Sequence, residues 1–149
     1  MARNAVDFAS ELTRWGEKVL DPDAFIRDAV QEAAVEIGTK IIDKTPVKTG
    51  LAKGNWRLSF SGRVASGVLR RLDPSGETTK AALIASASLL AAHSSFTIYN
   101  NVDYVEFLET GSSRQAPGGM IAISIAEFFA ETSNINKRLI EKIKLRLAV

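Results

Sequence analysis

Residues 45–51 place a proline and a glycine directly after the longest helical pattern in the chain, and this turn constrains the fold more than any other feature. Pro46 has no amide hydrogen and disfavours the helical conformation at Thr45, so a helix that reaches Thr45 must end there. Gly50 suits the positive φ angle of a sharp turn. We therefore predict structural turns that comprise Thr45, Pro46, Thr49 and Gly50 here, and Gly111 further along the chain.

One apolar stripe runs up to this turn. Ile26, Val30 and Ile37 recur with helical spacing and predict a helix that ends near Lys44, about 35 Å long at 1.5 Å per residue. Asp21 suits the N-cap and Pro22 the first helical position. The same periodicity predicts an amphipathic helix over 5–20 and helical structure over 120–149.

The residues after the turn indicate a small sheet. Trp56, Leu58 and Phe60 alternate with polar residues, which predicts a strand with one buried face, and 96–100 is a second strand that could pair with it. Residues 61–77 are rich in turn formers and predict a loop or an irregular hairpin, whereas 78–92 fits helix or strand. We expect one domain over 1–149, an α+β fold whose small antiparallel sheet is flanked by a long helix in the N-terminal half and a C-terminal helix.

Catalytic chemistry has few candidates in this composition. The sequence has no cysteine and one histidine, His93, which excludes thiolate sites, catalytic triads and histidine-rich metal sites. Asp103, Glu106 and Glu109 form a local carboxylate cluster, but Asp103 is better explained as the cap of a short helix over 104–109. We therefore expect no enzymatic activity, no cofactor and no metal. No apolar run approaches the roughly 20 residues that span a bilayer, so no membrane role is expected.

Charge and turn chemistry suggest where partners bind. The net charge is only +2, but the first 35 residues are on balance acidic and the last 13 are basic, a polarity that would suit head-to-tail self-association. The polar loop after Gly111 is a second contact surface. The candidate contacts are Arg114, Gln115, Lys142, Lys144 and Arg146, and a candidate DNA-facing loop contains Arg63, Arg70 and Arg71.

Three motifs resemble the small neck or tail-completion proteins of long-tailed bacteriophages. They are Thr-Pro-Val-Lys-Thr-Gly-Leu at 45–51 followed by Trp56, Asn-Asn-Val-Asp-Tyr at 100–104 followed by Leu-Glu-Thr-Gly-Ser at 108–112, and Gln-Ala-Pro-Gly-Gly-Met at 115–120. Their order and spacing agree with the family pattern across 37–125. Leu51 departs from it by following Gly50 directly, and Val105 stands where the family more often has alanine.

The resemblance implies a structural protein made in the host cytoplasm and located at the head–tail junction of the virion. It implies a homo-oligomeric ring, expected to be six-fold, with the head-closure or connector protein and the tail terminator or tail tube protein as further partners. Two alternatives stay open from the sequence. One is a tail terminator that caps the tail tube, and the other is a nucleic-acid-binding accessory protein that contacts genomic DNA without sequence specificity.

Overall fold

A computed structural model of the chain describes residues 22–60, 62–89 and 95–131. The elements are α1 (Pro22–Lys44), α2 (Leu51–Gly54), β1 (Arg57–Ser59), α3 (Glu77–Ser88), β2 (Thr97–Tyr99), α4 (Val105–Glu109) and, over 121–131, α5. This arrangement is the predicted α+β fold. The helix predicted over 5–20 and the part of the C-terminal helix beyond 131 lie outside the described residues.

The sheet consists of β1 and β2, which run antiparallel. Arg57 lies opposite Tyr99, Leu58 opposite Ile98 and Ser59 opposite Thr97. The pairing predicted between the two segments is confirmed, although each strand is shorter than the pattern that predicted it. Leu58 and Ile98 pack against the buried core, so one face of the ribbon is apolar, as the alternation required.

The segment that fitted helix or strand is the helix α3, and Asp73 stabilises its first turn. The Asp73 carboxylate is buried and accepts hydrogen bonds from the backbone N–H groups of Gly76 (3.1 Å) and Thr79 (2.7 Å). The hydroxyls of Ser75 and Thr79 also donate to it. Because Gly76 stands at the N-cap without a side chain, Asp73 supplies the acceptor that the helix start needs.

The buried core lies between α1, α2, α3 and the sheet. Its largest fully enclosed side chains include Ile41, Ile42, Leu83 and Met120, with Trp56 only 3% exposed. Burial of aliphatic and aromatic groups of this size is the dominant stabilising contribution in a domain of this kind. None of the described helices combines the length and the apolar character needed to cross a bilayer.

Helix α5 lies along α1 through charged side chains. Lys44 Nζ is 2.7 Å from Glu127 Oε2, and Lys40 Nζ is 3.0 Å from Glu131 Oε2. These pairs are partly exposed to solvent, which weakens the attraction between their charges. They orient α5 along α1, whereas the first turn of α5 is held by a separate contact from the end of α4.

Candidate assembly site at the junction of the turn motifs

The turn over 45–51 begins with a buried threonine that joins the end of α1 to the start of β1. Thr45 Oγ1 donates to the Ile41 carbonyl at 2.6 Å and accepts from Trp56 Nε1 at 2.8 Å. The Thr45 side chain therefore satisfies a carbonyl that the end of α1 leaves without a helical donor. It also gives the buried indole N–H of Trp56 the acceptor that it needs.

Gly50 holds this turn against the segment that carries Asp73. Its φ angle is +86°, and its carbonyl accepts from the backbone N–H groups of Gly54 (2.8 Å) and Asp73 (3.2 Å). A Cβ built on Gly50 would lie 2.5 Å from the Pro74 nitrogen. Thr49 Oγ1 accepts from the Leu51 N–H at 3.3 Å and starts α2. The turn thus requires glycine for its backbone angle and for the space beside it.

Gln115 joins the third motif to the first. Its side-chain oxygen accepts from the Val47 N–H at 2.8 Å, and its side-chain NH₂ donates to the Val47 carbonyl at 3.1 Å. The amide therefore pairs with the backbone much as a neighbouring strand would. Sequence analysis assigned Gln115 to a partner contact, whereas the structure uses its amide within the chain. Arg114, beside it, is exposed.

Glu109 ends α4 and caps α5. Its carboxylate accepts from the backbone N–H groups of Met120 and Ile121, each at 2.8 Å, and of Ala122 at 3.0 Å. Burial by itself would raise the pKa of Glu109, but the three N–H donors outweigh burial and hold the pKa below its usual range. The carboxylate is thus a helix cap with all of its strong contacts inside the chain.

Gly111 closes α4 in the left-handed region, with φ +85°. A Cβ at this position would collide with the Pro117 carbonyl oxygen, so the loop over 112–119 returns directly onto the end of α4.

The prediction that Asp103 caps the start of α4 is wrong. Tyr104 occupies the N-cap position, and no side chain, including that of Asp103, makes a capping hydrogen bond there.

Two neighbouring asparagines connect the second motif to the rest. Asn100 Nδ2 donates to the Ala52 carbonyl at 2.8 Å, and its Oδ1 accepts from the Val102 N–H at 3.1 Å. Asn101 Nδ2 donates to the carbonyls of Ala65 (2.6 Å) and Gly67 (3.0 Å). Gln115 and Glu109 bond the three motifs to one another, and the asparagines attach them to α2 and to the segment over 62–72. We call this unit the turn junction (45–51, 100–101 and 109–120).

The arginine-containing segment over 62–72 has no regular secondary structure, yet side chains hold it in place. Asn55, fully buried, clamps Leu69 by accepting from its N–H at 2.6 Å and donating to its carbonyl at 3.0 Å. Arg63 and Arg70 are exposed, as a DNA-facing loop would require. Arg71 differs from that expectation, because it is half-buried and its Nε donates to the Gly54 carbonyl at 2.7 Å.

Large apolar side chains are exposed on α4 and α5. Phe107 and Phe129 are each 68% exposed, and Tyr104, at the start of α4, is 42% exposed. Exposed aromatic side chains of this size are typical of surfaces that bind another protein. Sequence analysis did not identify them, because their spacing within short helices also fits burial.

The remaining predicted contacts, Lys142, Lys144 and Arg146, lie outside the described residues, as does His93. Within 22–60, 62–89 and 95–131, no group of histidine, aspartate and glutamate side chains has an arrangement that could hold a metal ion.

Comparison with known proteins found no matching family model, no matching curated protein and no matching solved structure. A functional proposal for this chain therefore depends on the motifs and on the geometry that they adopt.

Proposed function

We propose that this protein is a non-enzymatic structural component of a phage virion. It forms a ring at the head–tail junction, as a neck or tail-completion protein, links the connector to the tail and leaves a passage for DNA. The observation that supports this proposal best is the turn junction. The first motif lies far along the chain from the other two, and Gln115 bonds it to the third through Val47, 68 residues away. Glu109 bonds the second motif to the third through Met120, and Asn100 bonds the second motif to Ala52, directly after the first.

The use made of these side chains supports a scaffold more than a catalyst. Glu109 accepts three backbone N–H groups, and a carboxylate so occupied is a poor general base because its pKa is lowered. Thr45 and Gln115 are likewise engaged with the backbone. The motif side chains thus serve to hold loops in fixed positions, which is what a ring subunit needs to present the same surface in every copy.

The outward-facing residues beside the junction supply the contact surface. Arg114 is exposed on the loop that Gln115 anchors, and Phe107 is exposed on the helix that leads into it. An exposed arginine on an anchored loop and an exposed aromatic side chain on the preceding helix have the composition of a protein–protein interface.

The ring is tested by sedimentation velocity of the purified protein, alone and mixed with the connector and tail tube proteins of the same phage. We expect a discrete species well above the 16.1 kDa of one chain. A phage that lacks the gene should accumulate unjoined heads and tails, visible by electron microscopy, and the gene supplied in trans should restore joining. A chain that stays monomeric in every mixture, together with normal joining in its absence, would contradict the proposal.

Arg114→Glu tests the contact surface. We expect the variant to keep its melting temperature and to lose ring formation or joining, because Arg114 is exposed and the fold does not depend on its charge. Arg70→Glu is the matched control, since it makes the same charge change at another exposed position. If Arg70→Glu blocked DNA retention on a heparin or DNA column and Arg114→Glu assembled normally, the nucleic-acid alternative would replace this proposal.

A further inference from the structure

A cleft of about 250 Å³ lies between the sheet, α3 and the segment over 69–71. Its lining is about equally polar and apolar, and two arginines, Arg57 and Arg71, contribute to it. The described residues around it include no aspartate or glutamate; they are Trp56, Arg57, Leu58, Leu69, Arg71, Ala82, Leu83, Ser86 and Tyr99.

Most N–H donors of the two guanidinium groups have no acceptor among the residues that the structure describes. Arg57 lies over the Tyr99 ring, 4.9 Å from its centroid, and donates one bond to the Gly67 carbonyl at 2.6 Å. Its Nε is enclosed and has no hydrogen-bond partner. Arg71 donates one bond, from Nε to the Gly54 carbonyl. A guanidinium has five N–H donors, so each group keeps several for a ligand.

The charges are also uncompensated. Neither arginine forms an ion pair with a described acidic residue. Both side chains are half-buried, and bringing two like charges to one partly dehydrated cleft is unfavourable on both counts. An anion in the cleft would remove both penalties.

We propose that this cleft binds a carboxylate group, which Arg57 and Arg71 hold together. The planar guanidinium matches the two oxygens of a carboxylate, and the pair can supply donors to both of them. Trp56, Leu69 and Leu83 form walls that suit a short hydrocarbon stem behind the charge. The volume is below the roughly 300–1,000 Å³ of sites that enclose a whole drug-sized molecule, which favours a small group. The ligand is therefore a short aliphatic carboxylate, either free or as the acidic side chain of a docked chain.

Thermal unfolding and titration calorimetry with glutarate test the site at constant ionic strength. We expect glutarate to raise the melting temperature more than chloride, and 1,5-pentanediol, which has the same carbon chain without charge, to have no effect. Arg57→Gln and Arg71→Gln should each weaken glutarate binding by about tenfold or more, since each removes charged hydrogen bonds. Arg70→Gln is the matched control, because it makes the same change next to Arg71 at an exposed position and should bind like the wild type.

Further arms separate the sources and guard against misfolding. A short acidic peptide that binds about tenfold more tightly than glutarate would identify a docked chain as the source, whereas glutarate alone would indicate a free acid. If the glutamine variants do not fold, Arg57→Lys and Arg71→Lys replace them in the test. These variants keep the charge, so they should fold, and they should bind glutarate more weakly than the wild type does. The proposal is overturned if the wild type responds to glutarate no more than to chloride, or if Arg70→Gln weakens binding as much as Arg71→Gln does. Neither result bears on ring formation.

Discussion

Replacing Gly50 by alanine should cost stability in two ways, through backbone strain at positive φ and through close contacts of the added methyl group. The same replacement at Gly67 is the control, because it introduces the strain without the contacts. Both have nearly the same backbone angle, φ +86° and +85°. An alanine in this region is destabilised by about 1–2 kcal/mol whatever surrounds it. The surroundings differ. An added methyl group at Gly67 would meet nothing within 4 Å, whereas at Gly50 it would lie 2.5 Å from the Pro74 nitrogen and 2.8 Å from Asp73 backbone atoms.

The expected magnitudes follow from this difference. Gly67→Ala should lower the free energy of unfolding by about 1–2 kcal/mol, from backbone strain alone. Gly50→Ala should lower it by a further 1–3 kcal/mol or so, as overpacked sites do, because backbone cannot move aside as a flexible side chain can. Movement at Asp73 would also weaken its hydrogen bond to the Gly50 carbonyl and the support that its carboxylate gives to α3.

Urea denaturation at pH 7 and differential scanning calorimetry measure both variants. For a chain of this length about 1 kcal/mol corresponds to 2–4 °C, so the Gly50 variant should melt roughly 2–12 °C below the Gly67 variant. Gly50→Val should be worse than Gly50→Ala, since a β-branched residue is still less compatible with positive φ. Equal losses at the two positions would refute the close-contact argument, and a wild-type melting temperature for Gly50→Ala would refute the turn itself.

Two further predictions concern a cap and the end of the chain. The lowered pKa of Glu109 means that its contribution to stability is present above the unfolded value near 4.5 and is lost as pH falls through the folded pKa. In urea titrations, Glu109→Gln should therefore lower the free energy of unfolding by about 1–2 kcal/mol at pH 7 and by less at pH 3. An equal loss at both pH values would contradict the charged cap. Reversal of Lys142, Lys144 and Arg146 to glutamate together should leave circular dichroism unchanged but weaken ring assembly at low salt, with partial recovery on adding salt; unimpaired sedimentation at low salt would show that the ring closes through other surfaces.

Local patterns were enough to predict much of the fold. Pro46 and the apolar stripe before it predicted where α1 ends, and alternation around Leu58 predicted the strand that pairs with β2. Alternation and turn chemistry are properties of neighbouring residues, so a single sequence contains them. The sequence pattern over 78–92 fitted either helix or strand. The helix depends on Asp73, whose carboxylate accepts a hydrogen bond from the Thr79 N–H in its first turn. An aspartate before Pro-Ser-Gly also fits a simple turn, so sequence could not assign that role.

Polar residues with distant partners escaped prediction for a physical reason. Asn55 is fully buried, and its side-chain amide makes two hydrogen bonds to the backbone of Leu69. The residues next to Asn55 in the sequence do not indicate that partner. Gln115 was predicted as a partner contact and is exposed, but its bond to the backbone of Val47 was not predicted. A polar side chain in a loop fits solvent or a non-local backbone equally well until the fold brings the backbone to it.

At the turn junction, some side chains bond within the chain and others face solvent, and only the second group is free to contact a neighbouring subunit. Gln115 and Glu109 belong to the motifs that resemble the phage family, and both are engaged within the chain. The exposed side chains beside them include Phe107, within α4, and Arg114, between two motif segments. In the proposed ring, the motif side chains fix the loop geometry, and the exposed residues between the motifs contact the neighbouring subunit. Substitutions at Gln115 should then act through stability, whereas substitutions at Arg114 should act on assembly at unchanged stability.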